Sequence, residues 1–496
     1  MMKKLLALAL ILLLALPAAA FAETDDTLVV TALTSAESFD PHTANEFDRM
    51  VVNSVLDTLF MYDENGDPAP CLAESWTEDG LDITVTLRQG VKFHDGTDFN
   101  ADAVLKNYEY ELAGEYGTMF PSYVSNIAKV DDYTVVITKA TTYASVLDYC
   151  CSYFYMVSPT AYDADPEGFA THPVGTGAYV FDRKDEATGY VYLTANEDYF
   201  QGAPAFKNLE VHTTLDSATA LIALENGELD LYLTPSNADY EIALENDALK
   251  TGTTTGWTQM TLVTFGEPYI SDPNLRKAIM YAVNAENAAI YYGMEEPILS
   301  EDLFAASIMG DYAGSIEMPS YDPEKAAEYL AQSNYNGETL EINVTALAEQ
   351  VAVSIGYDLD SVGIKNVINV VDMNTWVSKI FDGTCGITAS SLGGSYGCLE
   401  ELMLTFSSMG YYGSMGIVAT DETADAALAE ALEIADAAER APKTIEAYAL
   451  QADLANMRGL FEDVFHVIYR ADLDGVETKW AASGVPYLYK VTPAAE

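Results

Sequence analysis

The chain has 496 residues, 49% of them hydrophobic, and 23 basic against 77 acidic side chains give a formal net charge of −54. That balance excludes nucleic acid and anionic membrane as partners, since both require a positive surface. The apolar content and 33 tyrosines exclude a disordered chain, and the length predicts several domains at roughly 100–200 residues each.

Lys3 and Lys4, the apolar run from Leu5 to Leu16 and the triplet Ala20-Phe21-Ala22 have the form of a secretory leader, with cleavage expected after Ala22. Spanning a bilayer takes about 20 apolar residues; this run is shorter and no other segment qualifies, so no direct membrane insertion is expected. The first cysteine is Cys71, far from the cleavage point, so no lipid attachment is expected. The expected location is extracytoplasmic, periplasmic or secreted. In an oxidising compartment the five cysteines permit two bridges and leave one thiol over, with Cys385 and Cys398 close enough in sequence to pair. The five histidines are scattered, and neither a metal nor another cofactor is expected.

Leu28 to Leu33 reads as an opening strand, followed by a helix whose apolar stripe is Val51, Val55, Leu56 and Leu59. Leu81, Ile83, Val85 and Leu87 alternate with polar residues as a half-buried strand requires, and Asn100 caps a helix with Leu105, Tyr108 and Leu112 on one face. A strand follows from Tyr133 to Thr138, and the segment His172 to Tyr179, HPVGTGAY, predicts a turn feeding a strand pair. Asp216 and Gly227 bound a helix that leads into a strand from Leu229 to Leu233. Asp272-Pro273 and Asp322-Pro323 each open a helix. The strand of Leu340, Ile342 and Val344, the helix Val351 to Leu359 and the strand Val367 to Val371 make a β-α-β unit with a parallel sheet. Thr423 to Phe461 is alanine-rich and predicted helical, and extended runs follow around His466 to Tyr469 and Val485 to Val491.

Separated stretches, in one order along the chain, carry a family resemblance: Ser38-Phe39-Asp40-Pro41, CLAESW at Cys71 to Trp76, and VKFHDGTDFNADAV at Val91 to Val104. PVGTGAYVF at Pro173 to Phe181, NEDYFQGAPAFKNLEV at Asn196 to Val211 and the PNLRKAI helix after Asp272 complete it. The chain resembles the peptide/nickel-type extracytoplasmic solute-binding proteins of ABC importers. The resemblance implies an α/β fold of two lobes joined by two hinge strands, with an extra subdomain in lobe one. It places residues 23–45, 172–263 and 472–496 in lobe one, 46–171 in the subdomain and 264–471 in lobe two. It also implies a monomer that is no enzyme, that captures a small molecule or peptide, and that hands it to permease and ATPase subunits.

In peptide-binding members a lobe-two loop supplies an aspartate to the ligand's ammonium, and the matching position here falls at Gly394, with no carboxylate before Glu400. A free amine would lack that partner, which favours a neutral hydroxylated or amide-bearing ligand. Ser391, Gly394, Ser395 and Tyr396 are therefore expected ligand contacts on lobe two. Thr34 and Ser35, at the end of the first strand, and Asn45, just past the SFDPH loop, are expected on lobe one. Trp257 is the candidate aromatic platform beside the hinge. The alternative is a secreted serine hydrolase, since Gly393 to Gly397 matches G-x-S-x-G around Ser395 and His466 follows downstream.

Overall fold

The computed structural model describes residues 26–31, 38–42, 49–63, 66–114, 117, 120–141, 145–212, 217–393, 397–434, 436–477 and 485–495. Two strands dominate the architecture: Leu249–Phe265, 17 residues long, and Met457–Arg470, 14 residues long, run antiparallel through the centre of a ten-stranded sheet. On one side of this pair lie Leu231–Leu233, Thr27–Thr31, Asn208–His212, Val191–Ala195 and Tyr179–Lys184, in that order. On the other lie Gly386–Gly393, Leu340–Val344 and Asn366–Val370. The molecule is an α/β fold of two lobes, and the central pair belongs to both.

Each half has its own parallel segment. Thr27–Thr31 pairs parallel with Asn208–His212, and Leu340–Val344 pairs parallel with Asn366–Val370 through the Glu349–Ser361 helix. This is the β-α-β unit expected from the sequence. The alternating strand is found at Asp82–Leu87, inside a four-stranded antiparallel sheet with Ala73–Asp79, Thr134–Lys139 and Val124–Asp131. Its inward residues Ile83, Val85 and Leu87 join Phe93, Phe99 and Val104 in a core separate from those of the ten-stranded sheet. The caps read from sequence are formed. Asn100 accepts from the N–H groups of Asp102 and Ala103, Asp272 from Leu275 and Asp322 from Lys325.

The first helix, Arg49–Val55, ends before the expected stripe residues Leu56 and Leu59, and two further expectations need correction. The alanine-rich helical region ends earlier than Phe461: helices occupy Glu422–Leu432 and Ala437–Asp453, and Met457 begins a strand. The break is built by Ala455, at a φ of 55°, and by Asn456, whose side chain exchanges two hydrogen bonds with the backbone of Ala419, at 3.1 and 2.7 Å. The five cysteines form no disulfide; all are buried free thiols. Cys150 and Cys151 sit in one apolar core, Cys385 and Cys398 in another, where each serves as a small hydrophobe. Among the described residues no helix is long and apolar enough to cross a membrane.

Candidate functional site

The two central strands do not pair evenly. On the lobe-one side Thr255 faces Val464, and on the lobe-two side Gln259 faces Glu462, so Gly256, Trp257 and Thr258 together oppose the single residue Asp463. Extra residues on one strand of an antiparallel pair bend it and sharpen its twist. Lobe-one pairing stops on one side of this bulge, with Leu231–Leu233 against Val467–Tyr469. Lobe-two pairing starts on the other, with Thr258–Phe265 against Gly386–Gly393. Asp463 therefore stands at the register break between the two sets of pairings.

Polar side chains gather at that crossing. The Asp463 carboxylate accepts hydrogen bonds from the hydroxyls of Thr258, at 2.9 Å, and of Ser391, both on one oxygen. Burial pushes its pKa up, against the lowering by those two bonds. Beside it Gln259 donates to the carbonyl of Leu303 at 2.6 Å and accepts from the Ser300 hydroxyl at 2.6 Å. Glu462 accepts from the N–H of Ala306 at 3.2 Å. These bonds fix the lobe-two face of the crossing in one arrangement.

A second contact joins lobe two to the small antiparallel domain. The Cys398–Phe406 helix presents Glu400 to Ser145, the residue before the Val146–Ser152 helix, and Leu404 packs against that domain's core. Both the N–H and the hydroxyl of Ser145 donate to the Glu400 carboxylate. Glu400 is 4% exposed, and burial raises its carboxyl to about 7 despite those bonds, with the Asp148 charge adding to the rise. Glu401, half-buried beside it, is raised to about 8 by burial and by the charge of Glu400.

Of the residues expected at the site, Ser391 reaches the crossing through Asp463, and the backbone of Trp257 lies within the bulge. Thr34, Ser35, Asn45, Gly394, Ser395 and Tyr396 lie outside the described residues. Asp463 and Thr258 were not among the expected residues. The only signal for Asp463 was an acidic pair inside the apolar run Leu460 to Val467, which the helical reading up to Phe461 obscured. The hydrolase alternative gains no support. His466 pairs with Thr253 on the lobe-one side, where its Nδ1 bonds the Thr253 hydroxyl at 3.1 Å and its ring stacks on Tyr240 at 3.7 Å. Gly393 pairs with Thr258, on the other side of the register break from Thr253.

Two lobes and two shared strands with polar side chains gathered at their crossing have the architecture of a two-lobed binding protein. Residues 67–414 match the model of the bacterial extracellular solute-binding proteins, family 5 (middle region), and the chain belongs to that family. It is similar to the glutathione-binding protein GsiB of Shigella flexneri serotype 5b, at 29% identity over 386 residues covering 73% of this chain and 72% of that protein. Among solved structures it superposes on the DppA periplasmic binding protein of Helicobacter pylori in complex with the peptide STSA, with a TM-score of 0.81 and 23% identity over 95% of this chain and 98% of that one. It also superposes on NikZ of Campylobacter jejuni in complex with Ni(L-His), with a TM-score of 0.78 and 21% identity over 94% and 99% of the two chains. The protein is the extracytoplasmic solute-binding component of an ABC importer and works with its permease. Members of the family are binding proteins, not enzymes.

Proposed function

We propose that the floor beneath the 256–258 bulge receives one small peptide-like solute, and that closure brings the Cys398–Phe406 helix onto the small domain as it is seated here. The observation supporting closure is the bonding of Glu400 to Ser145, 255 positions apart in the chain and on opposite sides of the crossing. A ligand touching both lobes stabilises the closed state by its differential affinity for it. Likeness to glutathione-binding relatives and to a neighbour holding STSA favours a ligand of short-peptide size.

The register break suggests a hinge at 256–258 and Asp463 rather than near Val263 to Phe265 and Ala471. On that reading lobe one comprises 23–45, 172–255 and 464–496, the subdomain 46–171, and lobe two 259–462. We further infer a monomer, secreted with cleavage after Ala22, in which no bond is made or broken. Small-angle scattering and thermal denaturation test the reading, with reduced glutathione, mixed di- to tetrapeptides, chelated nickel and a periplasmic extract as additives. A fall in radius of gyration together with a rise in melting temperature is expected for the peptide-like additives. Absence of both with every additive would refute the receptor mechanism.

A further inference from the structure

The Asp463 side chain is 4% exposed, and only half of its carboxylate is satisfied. Oδ2 takes both hydroxyl donors, from Thr258 and Ser391, while Oδ1 is buried and has no hydrogen-bond partner. Among the described residues no basic side chain forms an ion pair with this acid, whose contacts are the two hydroxyls. A buried charge without a counter-charge is strongly disfavoured. A proton on Oδ2 could be donated to the Ser391 or Thr258 hydroxyl oxygen and would neutralise the charge, but Oδ1 would still have no hydrogen-bond donor. Neither protonation state is satisfied by the protein alone, whereas a guest donor at Oδ1 would satisfy the ionised one.

We infer that Asp463 is a ligand-binding residue whose Oδ1 receives a cationic nitrogen, a primary ammonium or guanidinium, of the captured solute. This rests on the receptor reading above and names the ligand class. Three strands converge on the group: Thr258 from the first central strand, Asp463 from the second and Ser391 from the strand beside them. The two hydroxyls hold Oδ2 and so fix where Oδ1 faces. A metal ion would demand several protein ligands at once, and no cluster of three or more His, Cys, Asp or Glu suited to a metal exists among the described residues. The chain's net charge of −54 draws cationic solutes towards it.

The test uses the secreted full-length protein and its Asp463→Asn variant. Each is incubated with an equimolar mixture of di- and tripeptides bearing free amino termini, or with the same mixture N-acetylated, and retained species are read by native mass spectrometry. The wild type should retain free-amine peptides and not the acetylated ones. Asp463→Asn should weaken retention by at least about tenfold, the scale of a hydrogen bond to a charged group. Its ligand-free melting temperature should be unchanged or higher, because an uncompensated charge has been removed; a purely structural aspartate would instead lower it. If the variant fails to fold, Thr258→Val replaces it and should weaken the same retention. Equal retention by both proteins, or preference for acetylated peptides, overturns the inference. Retention of neither mixture while a periplasmic extract still compacts the protein also overturns it and leaves the receptor reading standing. No compaction with any additive sinks that reading itself.

Discussion

Glu400 combines a polar contact with an unfavourable charge, and the two have opposite pH signatures. Its folded-state value of about 7 lies above its ordinary 4.5, so between those limits the native protein keeps a proton that the unfolded chain has lost. Its contribution to stability then falls as pH rises from about 4.5 to about 7 and is flat on either side. Asp148, raised to about 6 by burial, and Glu401 face the same region and push in the same direction. In Glu400→Gln the loss should shrink. The gap in urea midpoint between variant and wild type should widen in the variant's favour from pH 4.5 to 7, and a gap independent of pH would contradict this account. Residues of this kind were poorly legible in the sequence. A chain with 77 acids offers no means of telling which are buried until strands are paired. Ser391 was proposed because a recognisable loop lay beside it, while the burial of Asp463 follows from a register break that composition does not encode.

At the level of elements, the stretches most diagnostic in sequence form scaffold. The VKFHDGTDF hairpin docks on the PVGTG turn: the His94 N–H donates to the Gly175 carbonyl at 2.8 Å, and its Nε2 bonds the Gly177 carbonyl at 2.9 Å. The Asn196 side chain donates to that same carbonyl at 3.0 Å, tying in the NEDYF turn. Gly177 in turn donates to Val55, whose backbone it touches so closely that an added Cβ would lie 2.5 Å from both the Ser54 oxygen and the Val55 carbon. Gly177→Ala should therefore cost about 1–3 kcal/mol through overpacking, read as a lower urea midpoint with unchanged slope; an unshifted midpoint would show that the turn yields. Caps, alternating strands and the β-α-β unit were legible because each is dictated within a few residues. The end of the alanine-rich helices was not, because it depends on the contact of Asn456 with Ala419, 37 positions away.

On the scale of the whole molecule, the lobes share two strands yet keep separate apolar cores, so they need not lose structure together. The unpaired thiols turn this division into a two-channel chemical clock. Cys150 and Cys151 are sealed in the small-domain core, and Cys71 lines a cavity of about 20 Å3 beside Cys151, at the seam with lobe one. Cys385 and Cys398 are sealed in lobe two. A buried thiol reacts only after its surroundings open, so alkylation in mild urea followed by peptide mass analysis dates each opening separately. Two modification rates are expected, one shared by Cys71, Cys150 and Cys151 and the other by Cys385 and Cys398. A single rate for all five would mean that the shared strands make the lobes unfold as one. Captured solute should slow whichever channel opens first, so the five cysteines of this acidic chain can report occupancy without any label being attached beforehand.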